Sequence, residues 1–471
     1  MVPATGSQYR ARSMTHPQPG RNSLRPTLPT LIVVTVAAMA ALTLGPLLVP
    51  QRPVAEALPT ASAVGASSAA PSASAASASS PAAVLGPTPS LPIPEIRPNG
   101  IVPRTPETPS ASSATRAALQ RRLDGIRAKY AIPGVSVAIL FPDGGSWVGT
   151  SGVADLLTGA PVTPDTAFAI ASVTKTFTSA LILALAEEGR LDLDTSVRTY
   201  LPDLRIDAKV TVRQLLDHTS GLRDYFFHPL IDPVLLEHPT RYWSETEALK
   251  YAGKPYFKPG RGWHYSNTNY LILGMLAEEV GGTAFAEQLR GRFLEPLGLS
   301  DTYYQPTEPP RGPTAHGYRF ATTSVDAKAV DLSDGSPMIP FTSVVTAAAG
   351  AGGVASSASD LARWARALYA GRALAPTSVQ EMVDDVARTE RYRPSVPYGL
   401  GVQVVEVGGR PTMGHSGRLL GFRSVLRWLP DEGVAIAVLT NQSRTDPGII
   451  ARALLKIALK PSTECVCPGR R

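Results

Sequence analysis

The chain has 471 residues, 44 % of them hydrophobic and 18 % charged. That is more than one ordinary domain needs and enough apolar material for a large core, which excludes wholesale disorder. Two cysteines exclude a disulfide scaffold and a cysteine-based zinc module. The net charge of +7 is gathered at the two ends of the chain, and the body between them is near neutral. A basic groove tracking phosphates, and with it a nucleic-acid partner, is therefore not expected.

Residues 1–57 read as an export segment. Arg10, Arg12, Arg21 and Arg25, with no acidic residue among them, precede an apolar run over 31–49. Gly45-Pro46 would break a helix near its end, and Ala55-Glu56-Ala57 supplies an A-x-A cleavage site. If it is not cleaved, the run of about 19 residues is just long enough to anchor the chain in a membrane with its arginines inside. Either way the remainder is expected to be extracytoplasmic. Residues 58–113 are dominated by Ala, Ser and Pro, with no charge until Glu95. Such a composition buries too little apolar surface to offset ordering entropy, and it reads as a linker, partly polyproline II. A globular body is expected over 114–460. The basic tail 461–471 carries Cys465 and Cys467, read as a disulfide or two thiols because two ligands are too few for a metal.

Within the body, apolar spacing at Leu119, Leu123 and Ile126 predicts a helix over 117–130. Runs 135–140 and 146–153 predict strands, joined by a Pro142-Asp143-Gly144-Gly145 turn. Helices are expected over 177–188, 212–217 and 270–280. Three strand-like runs follow at 401–407, 423–429 and 434–439, and a helix over 447–459 closes the body. Strands at both ends with helices between them predict an α/β (α+β) fold: an antiparallel sheet flanked by helices, with an inserted, mostly helical subdomain.

The strongest local signal is Ser172-Val173-Thr174-Lys175. Positions three apart share a helix face with Cβ atoms ~5–6 Å apart, so the Lys nitrogen can reach the Ser hydroxyl. Partial burial and the helix N-terminus would depress the lysine pKa and yield a neutral amine able to take the serine proton. Tyr265-Ser266-Asn267 follows, read as an extended segment in which Tyr265 and Asn267 point the same way. A Tyr oxygen near an ammonium can shuttle protons, and an Asn amide can hold a carbonyl. Gly414-His415-Ser416-Gly417 comes third; on a strand edge its backbone can pair with a peptide-like substrate.

In this order and spacing the three elements resemble the serine D-Ala-D-Ala carboxypeptidase and class C β-lactamase family, over about residues 116–459. The stretches 187–194, 215–222 and 267–270 also look alike. The resemblance implies a β-lactamase/transpeptidase-like fold, no cofactor and no metal. It implies that Ser172 is the nucleophile, that Lys175 is its base or orients it, and that Tyr265 shuttles the proton to the leaving group. Asn267 would hold the acyl amide. His415, standing where the family has Lys, would bind a substrate carboxylate or tune Tyr265. Ser416 and Gly417 would line the substrate, and the backbone N–H groups of Ser172 and Arg418 would form the oxyanion hole. Some carboxypeptidases of the family carry a carboxylate-binding Arg after Tyr-Gly-Leu-Gly. Here Tyr398-Gly399-Leu400-Gly401 continues into Val402-Gln403, which raises the esterase option.

The function expected is an exported serine hydrolase, D-alanyl-D-alanine carboxypeptidase-like, acting on peptidoglycan stem peptides or small acyl substrates and reacting with β-lactams. The alternatives are a class C-like β-lactamase, an esterase or D-amino-acid amidase, or a non-catalytic wall-binding protein. An α/β-hydrolase elbow at Gly414-His415-Ser416 fails, because Arg418 stands where a small residue is needed and no His follows His415. No H-E-x-x-H supports a metallo-hydrolase. His218 is expected to be a structural turn residue. The small-residue stretch 347–353 lacks the Lys of a phosphate loop and is expected to serve close strand packing.

Overall fold

The computed structural model describes residues 111–460 except 323, 325, 385, 388 and 390–396. The export segment, most of the linker and the Cys465–Cys467 tail lie outside the described residues. Six helices and six strands carry the argument. The helices are α1 (Ser113–Lys129), α2 (Thr174–Glu187), α3 (Asn267–Gly281), α4 (Thr342–Gly352), α5 (Ala358–Tyr369) and α6 (Gly448–Ala458). The strands are β1 (Gly134–Leu140), β2 (Ser146–Gly152), β3 (Gln403–Glu406), β4 (Pro411–Leu419), β5 (Phe422–Leu429) and β6 (Val434–Thr440). Among the described residues no helix is long and apolar enough to cross a membrane.

The six strands form one antiparallel sheet in the order β2-β1-β6-β5-β4-β3. The last strand of the chain pairs with the first, Val135 opposite Thr440 and Leu140 opposite Ala435, so the two ends of the body close on each other. Alternation sorts the side chains. Val135, Val137 and Ile139 join Val434, Ile436 and Val438 against Leu119 and Leu123 of α1 and Ile450 and Leu454 of α6. The opposite face offers the smaller Ala138, Ala435 and Ala437, which belong to the larger core with Trp364 of α5. Strands β1 and β6 are buried throughout, which is why they read as continuous apolar runs. The Ser112 hydroxyl caps α1 by accepting from Thr115 N at 3.2 Å.

Several expected elements are displaced. The helix carrying Lys175 begins at Thr174, directly after a 3-10 turn over Ala171–Val173, rather than at 177. Helix α3 starts at Asn267, so Asn267 is a helical residue and only Tyr265 and Ser266 remain extended. The strand expected over 401–407 shrinks to Gln403–Glu406, because Gly401 turns with φ +78° and a Cβ there would meet Ser179 Oγ at 1.9 Å. The stretch expected to pack strands is instead the end of α4, where Gly350 lets two helices meet. A Cβ on Gly350 would lie 2.8 Å from Tyr270 O and 3.3 Å from Gly274 Cα of α3. Helix α5 and the full length of β4 carried no expectation.

The edge of the sheet is pressed onto the turn before α2. A Cβ on Gly417 of β4 would lie 2.3 Å from Ile170 O and 3.1 Å from Ala171 Cβ. Ser424 of β5 donates to the same Ile170 carbonyl at 2.6 Å. Gly417→Ala is therefore expected to lower stability by about 1–3 kcal/mol, the usual cost of overpacking. Urea denaturation checks it, and an unchanged midpoint would contradict so close an approach.

Candidate active site

Ser172 sits in the 3-10 turn, and Ala171 before it is held at φ 52°, a left-handed conformation unusual for a residue with a side chain. The turn is anchored by Ile170 N donating to Val354 O at 3.1 Å and by Val354 N donating to Thr174 Oγ1 at 3.2 Å. Lys175, on the first turn of α2, is wholly buried. Its Nζ lies 3.4 Å from Ser172 Oγ and donates to Asn267 Oδ1 and Ala351 O, each at 2.8 Å. The Ala351 carbonyl is available because α4 kinks at Ala349, with φ 38° and ψ −127°. Burial lowers the Lys175 pKa to about 7, with the nearby Asp224 carboxylate opposing it.

Tyr265 lies beside this amine, its ring centroid 5.0 Å from Lys175 Nζ. Its hydroxyl is buried and has no well-formed hydrogen bond among the described residues. Burial pushes its pKa well above the usual 10, and Ser172 is the neighbour that opposes this. Tyr265 is thus a neutral phenol at rest. The His218 ring, 4.4 Å from that of Tyr265, is in the left-handed region at φ 66° and wholly buried. Its Nδ1 accepts from Ser266 N at 3.2 Å, so Nε2 carries the hydrogen, and that buried N–H has no hydrogen-bond partner among the described residues. The turn role expected for His218 agrees with its backbone, and its packing on Tyr265 adds a further one.

Asn267 does not point loosely into a cleft. Its Oδ1 is taken by Lys175, and its Nδ2 donates to Asp224 Oδ2 at 2.9 Å. Asp224 is wholly buried, and that burial raises its pKa to about 6 against the opposing hydrogen bonds of Phe226 N and Asn267 and the charge of Lys175. Asp224 went unread in the sequence; it follows the expected His218–Leu222 stretch but belongs to no pattern that names a role for it.

His415 is 1 % exposed, and both its ring nitrogens are engaged. Nδ1 faces Ser416 O at 2.6 Å, and since a carbonyl only accepts, Nδ1 carries the hydrogen. Nε2 then accepts from the Tyr398 hydroxyl at 2.9 Å. Burial, with the charge of Lys175, holds His415 well below its ordinary pKa, so it is neutral. A cationic His415 meeting a substrate carboxylate does not match this arrangement. Tuning of Tyr265, the other role expected for it, matches better, since the rings lie 6.3 Å apart and Tyr398 packs on both.

Ser416 sits opposite Val425, and its N–H turns away from β5 to meet Gln403 Oε1 at 3.1 Å. Arg418, two residues on, directs its backbone N–H the same way. Among the described residues β3 pairs with β4 only as far as Gly414, which leaves this stretch at the edge of the sheet beside Ser172. Gln403 Oε1 also accepts from Arg427 Nη2 at 2.9 Å. Arg427 is buried, and burial pushes its pKa down to about 10. Neither Gln403 nor Arg427 was assigned a role from the sequence.

A family model described as Beta-lactamase matches residues 119–460. The chain is 30 % identical to penicillin-binding protein 4 of Amycolatopsis lactamdurans over 338 residues, which is 68 % of this chain and 84 % of that protein. It is 28 % identical to the D-aminopeptidase of Brucella anthropi over 324 residues, 66 % of this chain and 56 % of that longer protein. Among solved structures it is similar to the D-amino acid amidase from Ochrobactrum anthropi SV3 complexed with D-phenylalanine. There the TM-score is 0.63 and the identity 27 %, covering 73 % of this chain and 99 % of that one. A D-stereospecific amidohydrolase from Streptomyces sp. matches with TM-score 0.62 and 30 % identity, covering 73 % and 98 %.

The geometry makes Lys175 the group whose protonation governs Ser172. Acylation by an activated ester should rise with pH through a limb near 7, as the amine becomes neutral. In Lys175→Arg, whose guanidinium keeps its proton, the limb should vanish and the rate should fall by on the order of 10² or more. Stopped-flow acylation between pH 5 and 9 measures both; a Lys175→Arg profile matching wild type would contradict it.

Proposed function

Because this chain belongs to the β-lactamase family of serine hydrolases, we propose that it is an exported acyl-enzyme hydrolase working through Ser172 on substrates with D-configured residues, foremost peptides ending in D-Ala-D-Ala. One observation carries the reading: a buried amine with pKa about 7, 3.4 Å from the Ser172 hydroxyl. Neutral Lys175 takes the hydroxyl proton as Ser172 Oγ bonds to the carbonyl carbon. The carbonyl electron pair moves to its oxygen, which the N–H groups of Ser172 and Arg418 receive; one such donor is worth on the order of 10²–10³ in rate. Collapse breaks the C–N bond, and the departing amine takes its proton from Tyr265, which Lys175 resupplies. Water then attacks the ester by the reverse relay and frees Ser172.

Names of relatives support both a penicillin-reactive and a D-amide-cleaving reading. Peptidoglycan stem peptides suit an export segment in 1–57. A linker of about 55 residues could reach on the order of 150 Å from a membrane if extended. A second reading, D-amino-acid amidase, is favoured by one observation. At the Ser416 end of the cleft stand a neutral His415 and Gln403, and the stretch Tyr398-Gly399-Leu400-Gly401, after which some carboxypeptidases carry a carboxylate-binding Arg, continues here into Val402-Gln403. A short, uncharged leaving group needs no cation there.

Steady-state kcat/KM on an N-acyl peptide ending in D-Ala-D-Ala, on D-alanine amide and on their L counterparts separates these. The expected result is D-alanine release from the peptide, at least ~10² above the L form, with Ser172→Ala inactive on every substrate. Cleavage of the amide alone would move the assignment to the amidase, and turnover by Ser172→Ala would remove the nucleophile.

A further inference from the structure

We propose that Asp224 is a positioning residue for Ser172 and Lys175: through Asn267 it fixes which end of the Asn267 amide faces the lysine. The inference rests on Ser172 being the nucleophile. A carboxylate only accepts hydrogen bonds, whereas an amide offers an acceptor at one end and donors at the other. With Asp224 Oδ2 2.9 Å from Asn267 Nδ2, the Asn267 oxygen must turn to Lys175 Nζ, where it accepts at 2.8 Å. The same contact leaves the second N–H of that amide for a substrate carbonyl, the role the family resemblance implies for Asn267.

Asp224 is held as firmly as the group it directs. It caps the short turn Tyr225–Phe227 by accepting from Phe226 N at 3.1 Å. Thr268, next to Asn267, binds the same turn: Thr268 Oγ1 accepts from Tyr225 N at 3.0 Å and donates to Arg223 O at 2.7 Å. The beginning of α3 and the segment bearing Asp224 therefore move as one body. The ionisable groups around Asp224 are Lys175 from α2, Tyr265 before α3, Arg223 and Tyr225 beside it in the chain, and Tyr256 from the loop that follows. The three tyrosines are held above their ordinary pKa, and Lys175 is the partner whose pKa, like that of Asp224, lies near neutrality.

Asp224→Asn preserves shape but removes both the charge and the acceptor-only character. Its new amide can donate to Asn267 Oδ1 and compete with Lys175. A misplacement of ~1 Å at a reacting group costs on the order of 10²-fold, so the maximal acylation rate should fall roughly ten- to hundredfold. The lost carboxylate no longer supports the ammonium form, so the acid limb should move to lower pH. A slower enzyme that keeps working in more acid solution is a signature that mere loosening of the fold does not give. Asp224→Glu, which keeps the charge, should leave the limb near its wild-type position.

The experiment is single-turnover acylation of the full chain by a penicillin, from pH 5 to 9, with thermal melting beside it. Fast acylation of wild type and of Asp224→Asn alike, with an unmoved limb, would overturn the inference while leaving the nucleophile intact. Absence of wild-type acylation at Ser172 would overturn both. Asn267→Ala cuts the same bridge from its other end and serves if Asp224→Asn does not fold; wild-type acylation in that variant would equally overturn the role.

Discussion

Everything at this site depends on one buried ammonium. Lys175 is wholly buried, and a charge in that position is costly unless its donors are matched. The protein supplies two carbonyl-type oxygens, from Asn267 and Ala351, and places the Asp224 carboxylate one amide away. That is enough to keep the lysine in place but not enough to restore the pKa of a solvated amine. The result is a base poised near neutrality, which is what an attacking serine requires. A stronger ion pair would keep the proton on the lysine, and a weaker shell would leave its donors unsatisfied.

Three separate parts of the chain have to meet for this. The 3-10 turn Ala171–Val173 and the α2 that follows it bring Ser172 and Lys175, α3 brings Asn267, and α4 brings the Ala351 carbonyl. The approach of α3 to α4 depends on Gly350, where a Cβ would lie only 2.8 Å from the Tyr270 carbonyl of α3. The kink at Ala349 turns two successive carbonyls toward α2: Gly350 O accepts from Thr178 Oγ1 at 2.7 Å, and Ala351 O accepts from Lys175. Such a departure from helical geometry costs energy that the surrounding packing must offset, and departures of this kind cluster at functional sites. The sheet supplies the fourth wall, with Gly417 against Ala171.

Much of this was legible in the residues. The continuous apolar runs of β1 and β6 and the apolar spacing of α1 are direct consequences of burial on both sheet faces and along a helix stripe; they placed the strands within a residue and the end of α1 within one, while its start lies four residues earlier than expected. Ser172 and Lys175 were legible because spacing alone brings them together. What escaped depends on contacts between distant segments. Asp224 looks like any turn aspartate until α3 is laid beside it. His415 reads as a candidate cation, and only its burial between Ser416 O and Tyr398 makes it neutral. The small residues of 347–353 announced a close approach correctly but not its partner, because Ala and Gly serve strand and helix contacts equally.

The proposed function requires that Ser172, activated by a buried lysine, becomes covalently acylated. Incubation of the full chain with a penicillin, followed by proteolysis and mass spectrometry of the peptides, tests it without assuming the natural substrate. The account predicts a penicilloyl increment on the peptide containing Ser172 and on no other, absent in Ser172→Ala. An adduct on a different residue, or one that persists in Ser172→Ala, would contradict it.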